Sequence, residues 1–281
     1  MLRTFGATRP LGTRDHDEVM RLCGHDPASS VFVAARVREG GLMSPGSAVG
    51  IDDDDGGLRS LCWTSANVVP IECDEVALDL FAGRLRRQRR RSSSIFGLAD
   101  QVLPLWARLQ RHWGQPRSFR PDQPMLAVST LPSEAGLERH PGVRLARPDE
   151  LDLVLPASTA MFTEEIGYPP YVGSDRDYRA LVASLIDAGH TFVLLEDGRV
   201  VFKADVGSLA LGVAQIQGVW VAPDRRGQGL ATPAMNAVVE HVLQTLAPTV
   251  SLYVNGYNEP ALRAYHGAGF RQVATFATVI L

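Results

Sequence analysis

The chain has 281 residues, 45% hydrophobic and 21% charged, with a net charge of −3, a balance that places it among ordinary globular chains able to bury a core. No apolar run approaches the roughly 18 residues of a membrane span, and the first ten residues lack a basic stretch followed by an apolar one. Composition therefore excludes a transmembrane protein, makes the cytoplasm the expected compartment, and at roughly 150 residues per domain predicts about two domains.

In chain order, the first half predicts a helix over 15–22, a strand over 31–38, and strands over 47–52 and 58–64 on either side of an Asp-Asp-Asp-Asp-Gly-Gly turn. A strand over 68–71, a helix over 74–88, a strand over 93–96, a helix over 99–112 and a closing strand over 125–130 follow. The segment 120–142, broken by Pro, Gly and Ser, ends in His140-Pro141-Gly142 and predicts a boundary near 135–142. Beyond it come a strand over 143–147 and a helix over 149–166, with Leu151, Val154, Leu155, Met161 and Phe162 near three-and-four spacing. Pro156 predicts that this helix kinks or breaks in two. Ser174 is the expected cap of a helix that ends at Ala188, before Gly189.

Residues 191–196, 200–206 and 213–221 predict consecutive antiparallel strands, the first two joined by an Asp197-Gly198 turn. A helix opened by Asp224-Arg225-Arg226-Gly227-Gln228-Gly229 then runs to about Leu246, followed by a strand over 249–254, a short helix over 259–267 and a strand over 270–281. The first half repeats this succession in weaker form. Two domains of one topology, 1–135 and 143–281, are expected from element order alone.

The stretch from Val219 to Ala231, an apolar strand entering a glycine-containing turn that starts a helix, is suited to binding an anion. The first turn of a helix leaves N–H groups unpaired, and its dipole favours negative charge by roughly 0.3–1 kcal/mol per contact. Gly227 and Gly229 let a backbone approach a diphosphate, and Arg225 and Arg226 add charge, so a nucleotide or coenzyme phosphate is the expected ligand. A dinucleotide fingerprint is excluded, because Thr232 stands where its third glycine belongs and the preceding strands read as a meander. Cys23, Cys62 and Cys73 lie far apart with no ligand spacing, so neither a disulfide framework nor a metal site is expected. Only Lys203 among the 28 basic residues is a lysine, and its surroundings fit neither a Walker-type phosphate loop nor a pyridoxal site.

About 30 residues beyond the glycine turn, the strand Ser251-Leu-Tyr-Val-Asn255 leads into Asn258-Glu-Pro-Ala-Leu-Arg-Ala-Tyr265-His-Gly-Ala-Gly269-Phe270. With both motifs in this order, residues 143–281 resemble the GNAT superfamily of acyl-coenzyme A-dependent N-acyltransferases. The whole chain is similar to a two-domain GNAT family. Its first domain carries the Ser-Ala-Asn-x-Val-Pro segment at 65–70 and an Arg-Arg-x-Ser-Ser-Ile-x-Gly segment; its second carries Phe-Thr-Glu-Glu-x-Gly, Val-Phe-Lys-Ala and Leu-Tyr-Val-Asn. The resemblance implies an α/β protein of two tandem GNAT-like domains, each a mixed, mostly antiparallel central sheet flanked by helices, with catalysis in the second. It also implies acetyl-coenzyme A or a close acyl homologue as co-substrate, with no metal, and a small-molecule or peptide amine as acceptor. Backbone amides of Arg226, Gly227, Gln228, Gly229, Leu230 and Ala231 would hold the diphosphate, the strand edge at Val219 and Val221 would pair with pantetheine, and Asn258 would bond pantetheine or cap its helix. Tyr265 would protonate the departing thiolate.

One departure is plain: many members carry a glutamate on the strand that feeds the turn, whereas this chain has Gln215 and Gln217, neither of which is a base. Glu164 and Glu165 are the expected alternatives, with Lys203, read as a strand-edge charge, and His190, read as a loop histidine, behind them. The missing glutamate also leaves open a non-catalytic acyl-coenzyme A sensor. In the first half, Val69-Pro-Ile-Glu-Cys-Asp-Glu75 stands where the phosphate turn would be, with no glycine and three carboxylates, so no coenzyme is expected there. Completing the acceptor pocket or packing a homodimer are the roles open to that half. Six arginines between Arg84 and Arg91 invite a nucleic-acid reading, but they fall at a helix C-terminus where cations oppose the dipole. A solvated face, or a patch meeting the acidic hairpin tip of residues 52–55 or an anionic acceptor, is expected rather than a nucleic-acid partner.

Overall fold

In the computed structural model, which describes residues 7–88 and 91–281, the elements follow one another as β1 (Arg9–Pro10), α1 (His16–Cys23), α2 (Pro27–Arg38), β2 (Ala48–Asp52), β3 (Leu58–Thr64), β4 (Asn67–Ile71), α3 (Glu75–Arg87), β5 (Ser94–Leu98), α4 (Ala99–Trp113) and β6 (Ser118–Val128). The second run is β7 (Arg144–Leu145), α5 (Leu151–Ile166), α6 (Arg176–Asp187), β8 (Thr191–Glu196), β9 (Arg199–Ala210), β10 (Val213–Val221), α7 (Ala231–Thr245), β11 (Thr249–Tyr253), α8 (Glu259–Gly267) and β12 (Arg271–Ile280). Two compact units result. One takes the chain up to Leu126 with Tyr253–Tyr257 and Gln272–Leu281; the other takes Ala127–Leu252 and Asn258–Arg271.

The first unit has strand order β1-β2-β3-β4-β5-β12-β6. It is antiparallel at β1/β2, β2/β3, β3/β4 and β5/β12, and parallel at β4/β5. The second has order β7-β8-β9-β10-β11, antiparallel at its first three pairs and parallel at β10/β11. Each unit is thus a mixed, mostly antiparallel sheet flanked by helices, and in each a run of four antiparallel strands precedes one parallel pair.

The units are not the two contiguous stretches expected from the sequence. β12 lies between β5 and β6 in the first unit, where Ala277 and Val279 join Val68, Phe81, Ile95 and Trp106 in one core. Burying a valine is worth roughly 1.5–3 kcal/mol, and alternation along a strand says only that one face is buried, not which sheet edge receives it.

Local chemistry explains the other differences. Residues 31–38 form not a strand but most of α2, started by Pro27 at its first position and by Asp26, whose carboxylate accepts from Ser29 N–H at 3.2 Å. That helix buries Val31, Val33, Ala34, Ala35 and Val37, so it lacks the one-sided stripe that distinguishes a helix from a strand. α5 is not broken in two by Pro156, which lies near its start and removes one backbone hydrogen bond. Asp175, not Ser174, is the capping residue of α6, although Ser174 Oγ accepts from Arg176 N–H at 3.3 Å. Asp52 at the acidic hairpin is engaged by Arg9, at 2.6 and 2.9 Å. Of that cluster, Arg84, Arg86 and Arg87 occupy the last turn of α3, while Arg89 and Arg90 lie outside the described residues. Cys23 and Cys62 are buried, and burial pushes the Cys23 thiol up to about 12, which keeps it unreactive near neutrality.

In the second unit, α5 and α6 pack Val154, Leu155, Val182 and Ile186 against Val193 and Val200 of β8 and β9. Glu150, just before α5, accepts a two-pronged bond from Arg144 at 2.6 and 2.8 Å and one from Arg147 N–H at 2.9 Å. These bonds hold its carboxyl down at about 2. Because the folded value is depressed, the stabilisation is fully present above the unfolded value of about 4.3 and is lost as pH falls through about 2. Glu150→Gln is expected to cost about 1–3 kcal/mol at pH 7. Thermal unfolding should show its gap to wild type closing between pH 4 and pH 2, and a gap independent of pH would overturn the assignment.

Candidate active site

The site grows from a divergence of two parallel strands. β10 pairs with β11 only at Val213, Ala214 and Gln215, and irregularities in its pairing with β9 follow at Gln215/Ile216 and Gln217/Trp220. The far end of β10 thus keeps β9 on one edge and no β11 partner on the other. Ala222 N–H donates to Val201 at 2.9 Å on the β9 side. Successive strand amides point to opposite edges, so the Val221 N–H and C=O point into the opening. There the carbonyl accepts from Arg226 Nε at 2.9 Å.

The opening is a cleft of about 730 Å³, with Val219, Trp220 and Val221 on one side and Asn258, Ala261, Ala264 and Tyr265 of the α8 region on the other. Its end is closed by Arg226, Gly227, Gly229, Leu230 and Ala231. The turn is a short 3-10 segment, Pro223–Arg225, and α7 begins only at Ala231, later than the sequence predicts. Gly227 and Gly229 have φ of +73° and +76°, and a Cβ on either would meet no atom within 4 Å. The glycines therefore serve a left-handed backbone and an open space rather than tight packing. Leu230 at the N-cap of α7 has no side-chain acceptor, and no acidic residue stands in the first turn. The amides there have no protein cap.

The two arginines contribute less free charge than expected. Arg225 is paired with Glu196 at 2.7 Å, and Arg226 with Glu164 at 2.7 Å. The other Glu164 oxygen accepts from Trp220 Nε1 at 3.1 Å, so Glu164 lies in the cleft with both oxygens engaged. Gln228 turns away, its side-chain amide donating to Asp224 O at 2.8 Å. Asn258 caps α8, its Oδ1 accepting from Ala261 N–H at 3.3 Å, and it borders the cleft. Tyr265 is buried, its ring set edge-on to Phe270 at 5.9 Å. Burial and the nearby charge of Glu165 push its phenol up from 10, so it holds its proton throughout the neutral range. Glu165 does not line the cleft but lies close enough to act on Tyr265.

Lys203 is not a strand-edge charge. It is fully buried in β9, between β8 and β10, and its Nζ donates to Asp205 Oδ2 at 2.5 Å and to Gly218 O at 3.2 Å. Sequence reasoning missed Asp205, although a signal existed: a Lys and an Asp two apart in an otherwise apolar strand share one face. It also missed Trp220 as the partner of Glu164, for which spacing carries no signal. His190 does lie in the loop before β8. Among the described residues, no group of three or more His, Cys, Asp or Glu could hold a metal ion, and no helix is long and apolar enough to cross a membrane.

Residues 158–270 match the model of the acetyltransferase (GNAT) family, and residues 46–154 match a domain of unknown function (DUF4081). Among solved structures, an acetyltransferase of the GNAT family from Colwellia psychrerythraea is similar over 98% of this chain and 99% of its own, at 15% identity and a TM-score of 0.58. A GCN5-related N-acetyltransferase from Sphaerobacter thermophilus is similar over 97% and 95%, at 15% identity and 0.61. A tandem GNAT protein from the clavulanic acid biosynthesis pathway is similar over 97% and 98%, at 14% identity and 0.56. At such identities the likeness is one of fold. No curated protein matches the chain by sequence.

Proposed function

The second half of this chain belongs to the acetyltransferase (GNAT) family, and from that premise we propose that the protein transfers an acetyl or other short acyl group from acyl-coenzyme A to an amine by direct attack. The observation that carries the proposal is the cleft itself, in which a free strand edge, an uncapped helix start and a buried phenol converge. The fit to the coenzyme is physical: the left-handed glycines face open space, and, with the Arg226 N–H already given to Pro223 O at 3.4 Å, the amides from Gly227 to the start of α7 are the ones suited to a diphosphate. Bound there, the coenzyme supplies an activated thioester. Arg226, neutralised by Glu164, would shape the seat more than charge it.

Each residue then has a limited task. The Val219–Val221 edge aligns the pantetheine arm as an added strand, with the Asn258 NH2 group donating to it. The Val221 N–H is aimed to polarise the thioester carbonyl, and such a preorganised donor is worth most where charge develops. Tyr265 donates a hydrogen bond to the sulfur as it leaves, and burial, with the charge of Glu165 added, keeps that phenol protonated. Glu164, with both oxygens occupied, orients the turn rather than acting as a base.

The first unit is not a second coenzyme site on this reading. There Asp74 caps α3 with its own carboxylate, accepting from Ala77 N–H at 2.8 Å, and so occupies the place an anion would take. Calorimetric titration of acetyl-coenzyme A into the full chain is expected to find one site per chain, with release of free thiol once a primary amine is added. Absence of binding would overturn the proposal. Binding without thiol release across an amine panel would favour the sensor, the reading that the lack of a carboxylate on β10 leaves standing.

A further inference from the structure

We propose that Asp205, on the strand beside β10, is the group that takes the proton from the acceptor's ammonium. The inference rests on the acyl-transfer reading and supplies the base which β10 lacks. Asp205 is the direct cross-strand partner of Gln217, so both side chains rise from the same face of the sheet. Gln217 does not cover it: a Cβ on Gly207 would fall 2.1 Å from the Gln217 side-chain carbonyl carbon, which places that amide over Gly207, further along β9. On the other side, Gly218 has φ +60°, and a Cβ there would lie 2.8 Å from Asp205 Oδ2, 3.1 Å from Met161 Cε and 3.2 Å from Lys203 Nζ. Asp205 does not itself line the cleft, but its carboxylate reaches the backbone bulge at Gly218, next in the chain to Val219, the first β10 residue of the cleft wall.

Lys203 occupies Oδ2 at 2.5 Å and leaves Oδ1 for the acceptor. A buried ion pair of this kind adds little to stability compared with apolar residues of the same volume. The neighbouring elements fit the role. From α6, Tyr178 gives its hydroxyl proton to Ser158 O at 2.9 Å, not to Asp205, and its phenol is pushed up to about 12 by burial and by the charges of Asp205 and Tyr171. From α5, Glu164 is spent on Arg226 and Trp220. β8 sets Thr191 opposite Asp205, and β10 supplies only Gln217, neither of which titrates. The ring of Tyr178, which the charge of Asp205 reaches, packs with those of Phe162 and Tyr171 at centroid distances of about 6 Å, an aromatic group of the kind that favours a cation.

The step balances. The ammonium gives one proton to Asp205 Oδ1, which passes it to water, and the nitrogen lone pair forms the C–N bond as the C–S bond breaks. The nitrogen then loses a second proton to solvent. The sulfur gains one from Tyr265, which solvent restores.

The test compares two nucleophiles at pH 7.5 with the full chain and acetyl-coenzyme A: n-propylamine, of which about one molecule in a thousand is unprotonated, and hydroxylamine, which is already neutral. Asp205→Asn is expected to lower kcat/KM for n-propylamine by at least about 100-fold. It should change the hydroxylamine rate less than about threefold and leave calorimetric affinity for acetyl-coenzyme A unaltered. Its residual propylamine rate should rise about tenfold per pH unit between 7 and 9, following the free amine, whereas wild type rises less steeply. Because Asp205→Asn leaves a buried Lys203 unpaired, the double variant Lys203→Met, Asp205→Asn removes both charges and should show the same selective loss with a native unfolding transition. Equal losses on both nucleophiles, or none, would overturn the role of Asp205 while the transferase reading stands. A wild-type chain that binds acetyl-coenzyme A but acetylates neither nucleophile would overturn both.

Discussion

Gly229→Glu is expected to abolish acetyl-coenzyme A binding, weakening it by at least about 100-fold, or roughly 2.7 kcal/mol. The residue has φ +76°, and the position of its missing Cβ opens on empty space beside the uncapped start of α7. A glutamate there aims a carboxylate into the volume that the diphosphate needs and competes for the same amides. The left-handed backbone adds a cost of about 1–2 kcal/mol to any side chain, so Gly229→Ala separates the two causes. It carries the backbone cost without the charge and should weaken binding far less than the glutamate. Calorimetry on both variants, with unfolding curves to confirm a native fold, reads the difference. Affinity within threefold of wild type in Gly229→Glu would remove the glycine turn as the diphosphate seat.

Tyr265→Phe should lower kcat by at least about tenfold and leave coenzyme affinity within about twofold, since only the transition state has a use for the hydroxyl. The ring is retained, and with it the edge-on contact to Phe270, so little packing is lost. The direction of the phenol shift adds a second readout. Burial and Glu165 raise its pKa above 10, so Tyr265 stays protonated at every pH below 10, and no alkaline fall in turnover below that point can come from its ionisation. Steady-state rates from pH 6 to pH 10 test both statements. Unchanged turnover in Tyr265→Phe would take the hydroxyl out of the mechanism.

The cleft was legible where its parts are local. A glycine pair between an apolar strand and a helix, then an Asn-Glu-Pro helix start 30 residues on, each specify a backbone shape within a few residues. Glu164 was legible as a carboxylate near the acceptor side but not as the partner of Arg226, 62 residues away, because the identity of an ion partner depends on how α5 is laid over β10. Asp205 was not legible as a site residue. Its meaning comes from facing Gln217 across a pair of strands and from a bulge at Gly218 whose register no pattern announces.

By itself, therefore, the sequence determined the order of strands and helices in the second half, the antiparallel meander and the anion-suited turn. Periodicity, turn residues and caps act over a handful of neighbours, and these features need nothing more. Tertiary structure alone decided that β12 enters the first unit, that α2 is a helix buried nearly all round, and that Glu164 in the cleft is engaged by Arg226 and Trp220. Those outcomes depend on which apolar faces and charges meet at long range, where free edges and buried partners compete and the lowest free energy belongs to the whole chain rather than to any segment of it.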